Sequence, residues 1–585
     1  MARMPRWRPL ALAHVTFLLL AACAVGPDFE VPPPPPVQNL TPRPLPGSVT
    51  AGGKTQRFVH APDIPGEWWR LFHSKELTDL IERALRDNHD LKAAQAALRV
   101  AHANYRAQQG ALYPLVAANV SSSRQKAPTS VLSSPTVSGD PFYTLHTGQL
   151  TISYVPDVFG GIRRQVEAAS AQEESQFFML QAAYLTLTSN IALAVIQEAS
   201  LRAQIEATNQ TIRDERLFVR GERERVRDAF GNATSRDWAA LRSALAQAEQ
   251  ALPLLEKQLA AQRDLLAALT GRFAGDGFPE HFNLAKLSLP KDVPLMLPSR
   301  IVEQRPDVRA AQANLHATGA LVGVAVANRL PLFNLTGNIG RTGSQFNDIF
   351  NPAPPFLFWT IAGSVTQTLF DGFTLEQRQR AAEAGWEQTE EQYKSTVVNA
   401  FQNVSDVLQA IELDAKSVEK AKKAEAAAWE NFCLTVAAFV GYDGEKAELG
   451  QLTTDDPDLR ARIEKAFHRW WGKEKGCVHD KKVKLELERQ RVQDKKAREE
   501  LKRKRAVPGD AAESESAKSS GPSGIDVLTA EQLLLSTRLS RITAEASRYA
   551  DVVALFQALG GGWWNRRDVE EPQDPGLFVG VPPGR

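Results

Sequence analysis

The three cysteines are the residues of this chain best suited to covalent chemistry, and they lie at positions 23, 433 and 477 of 585 residues. A thiol can be acylated, can pair with a second thiol or can bind a metal, and its surroundings decide which. Cys433 and Cys477 could pair in an oxidising compartment, but the sequence does not give the distance between them. Cys477 and His479 alone make a weak metal signal, because a zinc site needs further ligands.

Catalytic constellations are missing from the sequence. It contains no Ser/His/Asp set, phosphate-binding loop or metal cluster in a recognisable context. We therefore expect no enzyme activity and no cofactor.

Cys23 follows a segment with the layout of a secretory signal. An apolar run from Leu10 to Leu20 comes after three arginines and leads to Ala21 and Ala22. A cysteine directly after these small residues resembles a bacterial lipobox, in which the Cys23 thiol would be diacylated and residues 1–22 removed. The alternative is an ordinary signal peptide with a chance cysteine. Ala24 stands where Asp would signal retention in the inner membrane, so the resemblance implies sorting to the outer membrane.

Overall charge and hydropathy narrow the choice of partners. The formal net charge is +1, from 69 basic and 68 acidic residues, which gives no reason to expect nucleic acid as a partner. The mean hydropathy is -0.29, and no apolar run near 18 residues follows Cys23, which argues against a transmembrane helix. Any contact with a membrane must then be made by other means.

Residue patterns divide the chain into a strap and a helical body. Residues 23–66 are rich in Pro and Gly, with five consecutive prolines from Pro32, and predict an extended strap rather than packed structure. From Trp68 the pattern is helical, and two strands are expected near 115–124 and 142–155. Long helical patterns then run from about Ile162 towards Phe230 and from Asp237 to Leu269.

The same order of patterns occurs a second time. Residues 90–98 reappear as 307–315, residues 168–169 as 381–382, and residues 237–271 as 526–560, at offsets of 217, 213 and 289. A repeat that keeps such registers indicates one structural unit used twice. We assign the first repeat to 67–275, the second to 276–444 and 521–564, and a C-terminal tail to 565–585.

The jump in offset exposes an insert of 76 residues at about 445–520. Its stretch 481–505 is strongly basic, and 514–524 is rich in Ser, Gly and Pro. Nucleic acid is absent from the compartment of a secreted lipoprotein, so we interpret the basic stretch as a solvated, partly helical charged segment. We expect the insert to project as an appendage and to leave the neighbouring helices undistorted.

Two physical limits follow from this repeat. Strands near 115–124, 142–155, 332–343 and 357–370 make four per chain, whereas about eight is the smallest number that closes a barrel. A membrane barrel must be closed, so several chains must share it. A helix from 162 to 230 is roughly 100 Å long, which requires sidelong packing in an extended coiled-coil tube.

Apart from 445–520, the chain resembles the TolC-like outer membrane factor family, in its lipoprotein branch typified by OprM and NodT. The matching residues are Cys23 with residues 25–29, Trp68-Trp69 with Phe72 and Leu77, residues 297–300 and 305–311, Leu369-Phe370-Asp371-Gly372, residues 526–530 and residues 558–563. The resemblance implies a mainly α fold with a small membrane β-barrel portion, built as a homotrimer that shares 12 strands. It implies a helical tunnel in the periplasm, docked to a membrane-fusion adaptor and an inner-membrane pump.

In that family the helix pairs turn at the periplasmic tip with an Arg-x-x-x-Gly pattern. The first half matches it with Arg227, Asp228 and Gly231, followed by Thr234 and Ser235. The resemblance implies that these residues meet the adaptor; the alternative is a capped helical turn with solvated charges. The second half departs from the pattern, because Val440 replaces the arginine and the insert begins just after Gly444. That departure puts ordinary adaptor docking at the second tip in doubt.

Four functions remain in view. The leading one is passive export of drugs or other small compounds through an efflux system of the resistance–nodulation–division type. A conduit for protein secretion is the second. A periplasmic adaptor is the third, although adaptors have one hairpin rather than a duplicated helix–strand–strand–helix unit. The fourth is a channel impaired or repurposed by its insert.

Overall fold

A computed structural model describes residues 24–37, 39–60, 63–126, 142–227, 234–295, 298–353, 356–440 and 524–569. The strands within these ranges are β1 Ser48–Ala51, β2 Lys54–His60, β3 Leu115–Lys126, β4 Phe142–Tyr154, β5 Asp292–Leu295, β6 Leu332–Gly343 and β7 Leu357–Thr366. The α-helices are α1 Lys75–Asp87, α2 His89–Gly110, α3 Gly161–Arg227, α4 Ser235–Leu269, α5 Pro298–Gln304, α6 Pro306–Ala327, α7 Thr374–Val440 and α8 Gly524–Ala558.

The predicted duplication is present down to single residues. Helices α3 and α7 each have 67 residues, α2 and α6 each have 22, and α4 and α8 each have 35. Their starting residues are separated by the offsets that the sequence repeats predict. The insert therefore falls between α7 and α8 and changes the length of neither helix, although residues 441–523 lie outside the described ranges.

Carboxylates placed just before the long helices fix where each begins. The Asp157 side chain accepts hydrogen bonds from the N–H groups of Ile162 and Arg163, both at 2.9 Å. Asp371 accepts hydrogen bonds from the N–H groups of Thr374 and Leu375 in the same way. The first N–H groups of a helix have no partner inside it, so these carboxylates stabilise the step from strand to helix in both halves.

Four long strands form one antiparallel sheet in the order β3-β4-β6-β7. The two halves meet at its centre, where β4 pairs with β6 from Tyr154↔Leu335 to His146↔Gly343. All three pairings are antiparallel, and the strands have 10 to 13 residues. That is the length of a strand that crosses a membrane at a tilt.

The hydrophobic core lies where the helices of both halves meet beyond this sheet. Trp68, Trp69 and Phe72 are each about 1% exposed, and Trp68 stacks on Phe556 of α8 with ring centroids 5.3 Å apart. Large aromatic rings bury much apolar area, so this cluster joins the start of the first half to the end of the second. Trp563, near the C-terminal end of the second half, is buried as well.

Part of the predicted strap is packed, which corrects the expectation of loose structure throughout 23–66. Strands β1 and β2 form a hairpin, and β5 adds to β2 in parallel. The buried Arg548 of α8 holds this hairpin by donating to the backbone oxygens of Ala51 and Lys54 and to the side chain of Gln56. Proline-rich flanks obscured strands this short, and a long-range contact stabilises them.

Within the described residues, one helix contains an 18-residue window apolar enough to cross a membrane on composition alone. It belongs to α3, and 56% of the window is buried inside the protein. Helix α3 packs against α6, α4, α2 and α8. The sequence analysis missed this apolar window, and we interpret it as a packed part of a tunnel helix.

Candidate membrane and tunnel surfaces

One face of the four-stranded sheet is apolar over most of its length, and its charged residues Arg124, Lys126 and Arg341 lie together at one end. Directly paired residues share a face, so the register places Val116, Ile152, Gly337 and Ile361 in one row across the sheet. Other members of this face are Val120, Leu150, Leu335, Ile339, Leu357, Trp359 and Val365, all between 48% and 68% exposed. Exposed apolar surface of this extent is typical of a face that contacts lipid or another protein.

The opposite face carries hydroxyl and amide groups. Its rows include Asn119, Gln149, Gly340 and Phe358, followed by Ala117, Thr151, Asn338 and Thr360. Within β3, β4, β6 and β7 this face has no Asp, Glu, Lys or Arg side chain. A polar, uncharged face backed by an apolar one is the pattern of a barrel wall between water and lipid.

The outer strands of the sheet are β3 and β7, and each has one edge that no other strand of the described chain pairs with. An unpaired edge leaves a row of backbone N–H and C=O groups without partners. Water cannot satisfy such groups at membrane depth, so the edges must pair with strands of other chains.

The segment just after Cys23 is docked at the joint between sheet and helices. The N–H of Val25 donates to the carbonyl of Phe159, and Gly323 of α6 packs directly on Gly26, which has φ +98°. A side chain at residue 26 would collide with the Gly323 backbone, so only glycine fits this approach. Cys23 itself lies outside the described residues.

A chain of polar contacts continues this docking onto α3 and α6. The buried Arg164 donates to Asp28 at 2.6 Å and to Glu167 at 2.8 Å. Glu167 lies 2.9 Å from His316, whose ring stacks on Phe29. Burial alone would raise the pKa of Glu167, but the contacts with His316 and Arg164 outweigh it and hold that pKa below its usual value. Sequence reasoning missed the roles of Arg164 and His316, because nothing local marks a partner 130 or more residues away.

At the predicted tip, the structure describes the helix ends but not the turn. Arg227 is the last residue of α3, and Thr234 caps α4 by accepting the N–H of Asp237 at 3.1 Å. The Asp237 carboxylate in turn accepts a hydrogen bond from the Thr234 N–H, which completes a capping box. Ser235 is the first helical residue. Asp228, Gly231 and Gly444 lie outside the described residues.

The long helices carry both exposed and buried carboxylates. Asp406 and Glu412 lie on α7 with partners on the same helix, Gln402 and Lys416 respectively. Glu215 of α3 differs, because it is fully buried and neither of its oxygens has a hydrogen-bond partner in the described structure. Burial raises the pKa of Glu215 to about 7, and the negative charge of Glu249 acts in the same direction.

Comparison of the two repeats could have exposed Glu215. At the offset of 213 its counterpart on α7 is Ala428, which is 4% exposed in an apolar cluster. A carboxyl group at an apolar position of a duplicated helix costs stability unless it is protonated or paired.

The described residues contain no group of three or more metal-ligating side chains, and His479 and Cys477 lie outside them.

The sequence profile of outer membrane efflux proteins matches residues 80–272 and 297–440, more than half of the chain. The chain belongs to the outer membrane efflux protein family. It is 29% identical over 406 residues to the pyoverdine export outer membrane protein OpmQ of Pseudomonas putida, covering 69% of this chain and 82% of that one. It is 23% identical over 463 residues to nodulation protein T of Rhizobium leguminosarum, covering 77% and 92%.

A solved structure shows the same fold. The Campylobacter jejuni CmeC outer membrane channel aligns with a TM-score of 0.71 at 18% identity, over 94% of this chain and 96% of that one. This structure confirms the predicted mainly α fold with a small β portion, and the profile with the named relatives confirms the predicted family, efflux function and outer-membrane location. Outer membrane efflux proteins work with a periplasmic adaptor and an inner-membrane pump, so the predicted partners are confirmed at the level of the family. The family is one of channels rather than enzymes.

The two faces of β7 give a matched pair of substitutions. Ile361→Lys places a charge on the apolar face and should cost about 2–4 kcal/mol of barrel stability, whereas Thr360→Lys places it on the polar face and should cost far less. The measurement is the temperature at which the assembled protein dissociates in detergent, together with its yield in outer-membrane fractions. Equal losses for the two variants would show that the apolar face does not contact lipid.

Glu215 predicts a specific pH dependence. Its folded pKa is raised above the ordinary 4.5, so the folded chain holds a proton that the unfolded chain releases between pH 4.5 and about 7. Stability therefore falls as pH rises through this window and is constant with respect to this group above it. Glu215→Gln should raise the melting temperature by roughly 3 °C at pH 8 and leave it unchanged near pH 4.5. Glu256→Gln changes an exposed carboxylate on the neighbouring helix α4; it is the control and should have no effect at either pH.

Proposed function

We propose that this chain is the outer-membrane exit duct of a tripartite efflux system of the resistance–nodulation–division type. The observation that supports this most is the continuity of a two-faced, open-edged sheet with helices of 67 residues. At 1.5 Å per residue such a helix is about 100 Å long, so the chain offers both a membrane segment and a periplasmic tube. Passive conduction needs no catalytic group.

Three copies are the assembly we propose. One chain supplies four membrane strands, and three chains supply 12, enough to enclose a water-filled lumen. In this arrangement β7 of one copy pairs with β3 of the next, which removes every free edge. The apolar faces then point outward to lipid, and the hydroxyl- and amide-bearing faces line the lumen.

Small compounds are the cargo we propose. Relatives include proteins named for export of pyoverdine and for efflux of antibiotics, toluene and solvents. A lumen wall of amide and hydroxyl groups hydrates a passing solute without selecting its charge. Protein secretion stays the alternative function.

The first α3–α4 tip is our proposal for adaptor docking, through Arg227, Asp228, Gly231, Thr234 and Ser235. The capping box at Thr234 supports a fixed helix start there, which would hold the neighbouring turn in a constant position. At the second tip the insert 445–520 follows Gly444, and we propose that it changes how the pump couples to the duct.

Cys433 supports a covalent tie to this insert. It is buried on α7 and disulfide-bonded, and only Cys23 and Cys477 exist as partners. Cys23 precedes Ala24, which contacts Gly160 at the barrel end. Trp386 of α7 packs on Gly319 of α6, and Cys433 lies 47 residues further along α7. That separation is about 70 Å, too far for Cys23. We propose Cys477 as the partner.

Peptide mapping under non-reducing conditions tests this pairing. We expect a crosslinked peptide pair containing Cys433 and Cys477 that disappears after reduction, and its loss in Cys477→Ser. A free Cys433 thiol in alkylated wild-type protein would contradict the pairing.

Lipidation is tested with labelled palmitate. Wild-type protein should incorporate label, and Cys23→Ser should incorporate none, because the thiol is the acceptor. The Cys23→Ser chain should also appear as soluble or mislocalised protein to a degree set by how far the barrel alone anchors it. Equal labelling of both proteins would exclude Cys23 as the acylation site.

The central test is export in a host that lacks its own outer-membrane channel. Wild-type chain supplied with a matching adaptor and pump should raise resistance to drugs and dyes several-fold over empty vector, while export of a secreted reporter protein should not change. Restored secretion of the reporter without drug resistance would favour the alternative function.

A second variant in the same host replaces 445–520 by a turn copied from residues 230–236. Because the insert lies between helices of unchanged length, we expect trimers to form as in wild type and the degree of resistance to change. Loss of the trimer would show that the insert belongs to the core.

A further inference from the structure

A cavity of about 850 Å³ lies between the β1–β2 hairpin and the tunnel helices. Ala51, Gly52 and Lys54 of the hairpin form one side, and residues of α3, α7, α8 and the segment 282–289 form most of the rest. Neither the proposed conduit nor the proposed adaptor contact uses this space, which is bounded by the hairpin that the sequence did not predict.

The charged side chains that line this cavity are mostly cations. Six are basic, namely Lys54, Arg202, Lys422, Arg538, Arg541 and Arg548, whereas Glu206 and Glu545 are the lining acids. The cations compete for few partners: Arg538 and Arg541 both bind Glu425, and Arg541 and Lys422 both bind Glu545. Arg538, Arg541 and Lys422 thus share two carboxylates and are only partly neutralised, whereas Arg202 has its own partner in Glu198.

Two of these cations have no carboxylate within ion-pair distance among the described residues. Arg548 is 3% exposed, and its guanidinium binds the neutral oxygens of Ala51, Lys54 and Gln56. Lys54 donates to the hydroxyl of Tyr549 at 2.9 Å. Lys54 is exposed, whereas Arg548 is a buried cation whose charge no carboxylate neutralises at ion-pair distance among the described residues.

We propose that this cavity binds a small molecule carrying two or more carboxylate or phosphate groups. Its volume lies within the range of about 300–1,000 Å³ for small-ligand sites and exceeds what one inorganic ion fills. Guanidinium groups match carboxylate and phosphate geometry, and three arginines of α8 line one wall. The bound anion bridges α7, α8 and the hairpin, and so stabilises the folded trimer.

The test uses purified full-length trimer with citrate and with pyrophosphate as probes. Ionic strength is held constant with NaCl, and binding is measured by calorimetry and by melting temperature. We expect both probes to bind and to raise the melting temperature in a saturable way, since a ligand of the native state stabilises it. Citrate binding alone would narrow the ligand to carboxylates, and pyrophosphate binding alone to phosphates.

Two charge reversals on α7 separate this site from general screening. Lys422→Glu changes a residue that lines the cavity, and Lys420→Glu makes the same change of net charge on an exposed residue that does not. We expect Lys422→Glu to weaken binding at least tenfold and Lys420→Glu to leave it within twofold. The proposal is overturned if neither probe binds below about 10 mM, or if the two variants weaken binding equally. Neither result bears on export, so the proposed conduit is judged separately.

Discussion

Backbone hydrogen bonding at the two free edges of the sheet is the constraint on which the rest of the structure depends. Strands β3 and β7 each expose a row of N–H and C=O groups that lipid cannot satisfy. Closing the sheet with other copies removes that cost, and closure then fixes which face meets lipid. In a closed barrel wall, the neighbouring residues Ile361 and Thr360 of β7 face lipid and lumen respectively.

The strand-to-helix joints carry this geometry into the tunnel. Asp157 and Asp371 cap α3 and α7 directly after β4 and β7, so the direction of each long helix is set at the barrel. The segment after Cys23 is held against the same joint through Arg164, whose side chain is only 4% exposed. The lipid that we propose on Cys23 would be attached directly before this docked segment.

Two charged or titratable side chains buried among the long helices, Glu215 and Arg548, affect the stability of the tunnel wall. Glu215 occupies a position that the other repeat fills with Ala428, and its raised pKa means that proton uptake offsets part of the cost of burial. Arg548 is buried as well, but it is satisfied by hairpin oxygens and joins α8 to β1 and β2. Glu215 therefore lowers the stability of the tunnel wall at high pH, whereas Arg548 holds the β1–β2 hairpin in place at any pH near neutrality.

The sequence alone determined the duplication, because residues 90–98 and 307–315, or 237–271 and 526–560, keep their registers and so predict helices of matching length. Periodicity likewise predicted the four long strands within a few residues, since alternation at period two is a local property. Tertiary structure decided the rest. The β1–β2 hairpin depends on Arg548, nearly 500 residues away, and the docking of Asp28 depends on Arg164, so no local pattern could reveal them. The face on which each strand residue lies followed only from the pairing register, because a shift of one residue exchanges the two faces.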